Sequence, residues 1–278
     1  MISIAEWRYH SKTLLQTKSE SADIEINAIL SYFLRKDLSW ILAHADTLLS
    51  EDQQKDLDQG LFRLLNKEPL AYIIGQANFF GSAYIVNKDV LIPRPETEIL
   101  VENALEWLGS HPGSKKIIDI GTGSGSIIIS ILQKYPKLRG VAVDISDKAL
   151  RIADENKKKF SIKQLSFIQM NCMEGIHEKF DLIVANLPYI PEKIVPGLPV
   201  SMYEPKLALN GGADGLQIIK KTIQQIPTRI ESPGLVLMEI QNDQAQTVAK
   251  FVNDVLPDGN VTVIKDYAGY DRIIRIEV

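Results

Sequence analysis

From Lys115 to the C-terminus, short continuously apolar runs alternate with amphipathic stretches, and this alternation restricts the fold more than any other feature of the chain. Lys116-Ile117-Ile118-Asp119, Gly140 to Asp144, Leu165 to Gln169, Phe180 to Ala185, Gly234 to Glu239, Val261 to Lys265 and Arg272 to Val278 read as strands. Ser126 to Lys134, Ala149 to Lys159, Leu216 to Gln225 and Gln244 to Val252 read as helices between them. A strand apolar on both faces must be covered on both faces, and helices of this length between strands make crossover units, so the sheet is expected to be mainly parallel. The last two strands are joined by Tyr267-Ala268-Gly269-Tyr270, a turn-like sequence that predicts an antiparallel hairpin at one edge.

Residues 1–75 follow a different rule. Ile26, Ile29, Leu30, Phe33 and Leu34 form one helical stripe, and Leu57, Leu61, Leu64 and Leu65 form another. The second begins after Ser50-Glu51-Asp52-Gln53, where Ser50 and Gln53 predict a capping box. With Ile4 to Leu15 and Leu38 to His44, these segments make a small helical bundle whose first role is packing. Residues 76–98 are expected to form a hairpin-like linker, with Ala71 to Gly75 and Ala83 to Val86 as its β-prone arms around Asn78 to Ser82. Leu91-Ile92-Pro93-Arg94-Pro95-Glu96-Thr97-Glu98 then holds Ile92 and Arg94 extended and places carboxylates at the start of a helix reaching about Leu108. On the plainest reading, those carboxylates only favour a helix N-terminus and Arg94 is a solvated charge. Residues 99–278 make the large domain.

Composition mainly excludes. There are 31 Lys and Arg against 35 Asp and Glu, a net charge of -4, so no global charge argues for a nucleic-acid partner. No apolar run is long enough to span a bilayer, and the first residues lack a signal-peptide plan, so a cytoplasmic, membrane-free protein is expected. The single cysteine, Cys172, has no partner for an internal disulfide, and His10, His44, His111 and His177 show no ligand spacing, so no metal is expected. The basic run Lys157-Lys158-Lys159 falls at a helix C-terminus, where it complements the helix dipole.

The chemistry concentrates at two strand ends. Asp119-Ile120-Gly121-Thr122-Gly123-Ser124-Gly125 joins a strand to a helix, and glycines at 121, 123 and 125 let a ligand approach the main chain. Position 126 is Ser126, so the match to a dinucleotide fingerprint is incomplete. Asp144 ends the next strand, where a carboxylate can accept both hydroxyls of a ribose; this points to an adenosine and leaves NAD and S-adenosylmethionine both open. Asp119 favours the methyl donor, because it would repel a pyrophosphate and can pair with an amino group. So does Asn186-Leu187-Pro188-Tyr189, a polar turn ending the strand Phe180 to Ala185, in reach of a donor methyl. The bland alternative is that Asp119 and Asp144 cap helices or solvate strand ends.

Taken together, the linker Leu91 to Glu98, the loop Asp119 to Gly125, Asp144, Asn186 to Tyr189, Tyr203-Glu204-Pro205, Asn210 to Leu216 and Asp266 to Arg272 resemble the release-factor glutamine methyltransferases, the HemK or PrmC family. The resemblance covers essentially the full length, and the linker is its most discriminating part. It implies a Rossmann-like class I methyltransferase fold, an α/β domain with a mainly parallel seven-stranded sheet and an antiparallel edge hairpin, preceded by a small N-terminal helical bundle. It implies transfer of a methyl group from S-adenosyl-L-methionine, leaving S-adenosyl-L-homocysteine, to the side-chain amide nitrogen of the glutamine in the Gly-Gly-Gln loop of peptide chain release factors. No metal takes part, a monomer is expected, and the bundle would help dock the release factor.

On the same resemblance, Asp119, Gly121, Thr122, Gly123, Ser124, Gly125, Asp144, Asn171 and Cys172 hold the donor, and Asn186 borders it. Asn186, Pro188 and Tyr189 are the expected catalytic residues, and Leu187 joins them around the substrate amide. Three positions depart from the family pattern: Leu187 stands where a proline is usual, Cys172 where an aromatic residue commonly stacks on adenine, and Asn171 where an acidic residue often precedes it. Pro188 still keeps residue 187 extended. The rival readings are a methyltransferase acting on a ribosomal-protein glutamine or a nucleic-acid exocyclic amine, and a non-catalytic binding protein of the same fold.

Overall fold

The computed structural model describes residues 1–113 and 115–278. The chain divides into two compact units, Met1–Gln76 and Ala77–Val278.

The first unit is helical: α1 (Ile4–Leu15), α2 (Ala22–Leu34), α3 (Leu38–Ala43), α4 (Glu51–Leu65) and α5 (Leu70–Ile74). Its core gathers the faces marked by the apolar stripes, with Ile26, Ile29, Leu30, Leu57, Leu61 and Leu64 buried around Trp7. The Ser50 capping box is present: the Gln53 amide donates to Ser50 Oγ at 3.2 Å and the Ser50 amide donates to Gln53 Oε1 at 3.0 Å. A second box, Ser3 with Glu6, starts α1 and was equally legible as a Ser-x-x-Glu pattern.

The first arm of the linker hairpin is shorter and later than β propensity suggests, whereas the second falls within one residue of the expected Ala83 to Val86. Residues 71–74 belong to α5, because Pro69 pre-sets its entry and Gly75 closes it in a left-handed conformation at φ 69°. The strands are β1 (Gln76–Phe79) and β2 (Ser82–Ile85). Much of 76–98 is part of the second unit rather than a separate connector, since Phe79 and Tyr84 are buried in its core. Tyr84 also hydrogen-bonds Ser130 through its hydroxyl at 2.7 Å.

The remainder is the expected alternation: α6 (Glu98–Ser110), β3 (Lys116–Ile120), α7 (Ser126–Lys134), β4 (Arg139–Asp144), α8 (Asp147–Lys159), β5 (Leu165–Gln169) and β6 (Phe180–Ala185). It continues through α9 (Lys206–Leu209), α10 (Gln217–Gln225), β7 (Ile230–Glu239), α11 (Ala245–Val255), β8 (Asn260–Lys265) and β9 (Asp271–Glu277). Seven strands form one sheet in the order β5-β4-β3-β6-β7-β9-β8. The first five are parallel, and β9 runs antiparallel to both β7 and β8. Each face has its own core. Ile117, Leu182, Leu235 and Leu237 pack with residues of α6 and α7, while Ile118, Ile183, Val236 and Met238 pack with residues of α10 and α11. The chain leaves β3 toward β4 on one side and enters β6 on the other, so the order reverses between these neighbours and opens a crevice at their carboxyl ends. No helix among the described residues is long and apolar enough to cross a membrane.

Candidate active site

A cleft of about 210 Å3 lies at this crevice. It is lined by the glycine loop after β3, by Asp144, Ile145 and Ser146 after β4, and by Met170, Asn171 and Cys172 after β5. Asn186, Leu187 and Pro188 after β6 close it, together with the linker residues Leu91, Pro93 and Thr97. Five segments far apart in sequence therefore meet where the fold places ligands.

The loop is shaped to expose its backbone. Gly123 sits at φ 55°, a region closed to most L-residues, and a Cβ there would meet no protein atom within 4 Å. Its amide donates to Asp144 Oδ2 at 3.0 Å, and the Ser146 amide donates to Asp144 Oδ1 at 2.8 Å. These bonds fix Asp144 in place, and a carboxylate, with about four acceptor sites, retains capacity for ligand hydroxyls. Burial pushes its carboxyl above the ordinary range, against the amides of Ser146, Gly123 and Ile145. From below, Asn156 donates to the Ser124 carbonyl at 2.9 Å and exchanges hydrogen bonds with the Ile85 backbone, so β2 braces the loop.

Asp119 lies under the loop rather than on the cleft wall and has no solvent exposure. Its Oδ2 accepts from the hydroxyl of Thr122, a lining residue, at 2.7 Å, while its Oδ1 is buried without a hydrogen-bond partner. Burial raises its carboxyl to about 7, opposed by the Thr122 hydroxyl and the Ile128 amide, with Asp144 adding to the rise. An unpaired acceptor one hydrogen bond from the cleft, an open glycine backbone and a tethered carboxylate suit a ligand carrying an ammonium and a ribose diol. Ile145 adds an apolar surface, 47% exposed at the cleft. Cys172 also lines the cleft, in a left-handed conformation at φ 56°, with its thiol donating to Asn171 Oδ1 at 3.4 Å. Burial holds that thiol in its neutral form.

At the other end, Asn186 Nδ2 donates to Thr97 Oγ1 at 3.0 Å, and Thr97 donates to Glu239 Oε2 at 2.6 Å. The Tyr189 hydroxyl donates to Glu239 Oε1 at 3.3 Å. Leu187 is buried and lies over Gly121, its Cδ2 3.1 Å from where a Cβ on that glycine would stand. A long apolar side chain at 187 thus fits because Gly121 has none. Arg94 is not a solvated charge: its Nη2 lies 2.6 Å from both oxygens of the buried Glu204, tying the linker to the segment before α9.

With this geometry in view, likeness to known proteins decides the family. The family description "Methyltransferase domain" matches residues 112–258, and "PrmC N-terminal domain" matches residues 6–75. A protein of Bacillus cereus named release factor glutamine methyltransferase is 33% identical over 257 residues, covering 90% of each chain. One of the same name from Coxiella burnetii is 35% identical over 277 residues, covering 99% of this chain and 98% of its own. The chain belongs to the release factor glutamine methyltransferase family. Among solved structures, a methyltransferase from Pyrococcus furiosus shares the fold at a TM-score of 0.54 and 14% identity, covering 82% of this chain and 98% of its own. This member of the family is therefore an enzyme of the methyltransferase class, with Asn186, Leu187 and Pro188 and the glycine loop on one cleft; Tyr189, the last residue of the turn, packs against the core beside it.

Thr97 and Glu239 were not singled out from the sequence. Glu239 ends the apolar run Leu235-Val236-Leu237-Met238, the same signal that marks Asp144, and Thr97 lies inside the quoted linker. Burial lifts the Glu239 carboxyl to about 6, opposed by Thr97, Arg272 and Tyr189.

Two expected results arise here. Asp119 and Glu239 both bind protons more tightly when folded than a free carboxyl does, so their burial costs nothing below about pH 4 and its full amount above about pH 7. Stability should therefore fall as pH rises through that window. Thermal melts should show the decline in the parent protein and a shallower one in Asp119→Asn. The second concerns Gly215, at φ 76°, where a Cβ would stand 2.3 Å from the Tyr189 carbonyl oxygen. That oxygen accepts from Gln244 Nε2 at 2.9 Å, so the turn is held from both sides. Gly215→Ala should cost about 2 kcal/mol in the left-handed backbone alone, measured by denaturant unfolding. By displacing Tyr189 it should also slow turnover roughly 10-fold.

Proposed function

We propose that this enzyme transfers the methyl group of S-adenosyl-L-methionine to the side-chain amide nitrogen, N5, of the glutamine in the Gly-Gly-Gln motif of peptide chain release factors, acting as a cytoplasmic monomer. The observation that carries this reading is the orientation of Asn186. One N–H of its side-chain amide donates to Thr97, which leaves its Oδ1 as an acceptor, and Asn186 lines the cleft. An acceptor there suits a ligand that brings N–H groups, as a primary amide does.

When bound, S-adenosyl-L-methionine supplies an electrophilic methyl on a sulfonium and leaves as S-adenosyl-L-homocysteine. Asp144 would take its ribose hydroxyls, the amides of the loop Gly121 to Gly125 its methionine portion, and Asp119, through the Thr122 side, its ammonium. Ile145, Asn171 and Cys172 would bound its adenine. Asp119, buried and unpaired on one oxygen, gains the cation that its surroundings otherwise lack.

An amide nitrogen is a weak nucleophile because its lone pair is delocalised into the carbonyl. The protein's task is to hold that nitrogen in line with the breaking bond and to favour the positive charge that develops on it. Asn186 Oδ1 and the Leu187 carbonyl each accept one of its hydrogens, and both oxygens carry the partial negative charge that the transition state needs. Tyr189, packed against the core with its hydroxyl on Glu239, would wall the planar amide from beside the cleft, and Pro188 fixes the turn. The amide proton becomes acidic only as the new bond forms, so no histidine is required before transfer. The helical unit, residues 1–75, supplies a docking surface for the release factor.

The test is competition for label. The full-length protein, incubated with methyl-labelled donor and an equimolar mixture of release factor, ribosomal protein and DNA, should label the release factor alone. Label on DNA or on the ribosomal protein with none on the release factor would contradict the proposal.

A further inference from the structure

Asn186 can perform its task only if the correct end of its amide faces the substrate, and its two ends are nearly identical in shape. Something must choose between them. Thr97 Oγ1 carries one hydrogen and lies 2.6 Å from Glu239 Oε2, a buried carboxylate oxygen that only accepts when ionised. That hydrogen is therefore committed to Glu239. Whatever meets the same hydroxyl from the other side must donate, so Asn186 presents its NH2 to Thr97, at 3.0 Å, and its Oδ1 elsewhere.

We propose that Thr97 and Glu239 are positioning residues that set the polarity of the Asn186 amide, so that its oxygen and not its nitrogen faces the transferring group. This rests on the proposed amide-methylating function. It goes further by assigning the linker threonine and the carboxylate ending β7 to one device. Neither touches the substrate amide; both act through Asn186. The device spans three segments that each reach the same end of the sheet. Thr97 enters α6, Asn186 ends β6 and Glu239 ends β7, and β6 and β7 are paired neighbours.

The arrangement has a conditional state. If Glu239 gains a proton, its hydroxyl can donate to Thr97, the threonine hydrogen is released toward Asn186, and the amide is then favoured with its oxygen on Thr97. The nitrogen of Asn186 would then face the substrate amide, donor against donor. The groups that set the Glu239 proton are on the surrounding elements: Thr97 and Tyr189 donate to it, Arg272 from the start of β9 favours its anion and Glu96 opposes it. Arg272 is itself held by Asp266 Oδ2 at 2.9 Å.

Two measurements on the full-length protein test this. The first is steady-state kinetics at pH 8 with release factor as substrate. Thr97→Val keeps the shape but can donate nothing to Glu239 and accept nothing from Asn186, so kcat should fall roughly 100-fold with donor KM nearly unchanged. Thr97→Ser, which restores the hydroxyl, should recover to within about threefold of the parent. The second needs no turnover. The Asn186 side-chain amide resonance in 15N NMR, assigned by its absence from Asn186→Ala, should shift between pH 5 and 8 in the parent protein and stay fixed in Glu239→Gln. Thr97→Val turning over like the parent, or an Asn186 resonance indifferent to pH in the parent, would overturn the proposal. If the parent transfers no methyl to release factor, the substrate reading falls, and the resonance alone decides the positioning device.

Discussion

Replacing Asn186 with alanine should lower methyl transfer to release factor by roughly 10³-fold while leaving donor affinity within about threefold. The size follows from what is removed. The Asn186 oxygen is one of two acceptors proposed to hold the amide nitrogen as charge develops on it, and such a group matters more in the transition state than in the ground state. Donor affinity should be spared because the tethered carboxylate and the glycine loop lie on β3 and β4, and Asn186 makes no hydrogen bond to either. Single-turnover rates and donor titrations on the same preparation separate the two quantities. Near-normal transfer by Asn186→Ala would remove the turn from the chemistry.

Asp144→Ala should produce the opposite pattern, with donor affinity falling about 100-fold and the rate at saturating donor changing little. Two hydroxyl bonds to a carboxylate are each worth about 1.5 kcal/mol or more, and together they account for that factor. The loss extends beyond the ligand. The amides of Gly123 and Ser146 both end on Asp144, so its removal frees the loop as well as the ribose contact. Calorimetric titration with S-adenosyl-L-homocysteine reads the effect without turnover. An unchanged affinity would show that the carboxylate only shapes the loop.

Some features of this cleft are displayed by the sequence, and others are created only by folding. The parallel sheet is legible because strands such as Leu182 to Ala185 are apolar on both faces, and a period that admits only one kind of covering needs no tertiary knowledge. The glycine loop and Asp144 are legible for a related reason: a polar or flexible residue directly after such a run stands at the strand's carboxyl end. Glu239 met the same criterion, yet its hydrogen-bond partner Thr97 lies 142 positions away, and no local pattern announces that meeting. The same holds for Asn186 and Thr97, 89 positions apart. Residues 71–74 misled in the other direction, since their β-prone side chains are overruled by Pro69 before them and Gly75 after them. Leu187 looked like a plain departure from the family pattern, and the structure supplies its complement in the bare α-carbon of Gly121.

Whether this cleft methylates one kind of side-chain amide is decided by incubating the full-length protein with S-adenosyl-L-methionine and an intact release factor, then mapping the product by peptide mass analysis. The expected product carries a single added methyl on the side-chain nitrogen of the Gly-Gly-Gln glutamine, absent when Asn186→Ala replaces the parent enzyme. A methyl found on another residue, or a release factor left unmodified by enzyme shown to bind the donor, would contradict that function.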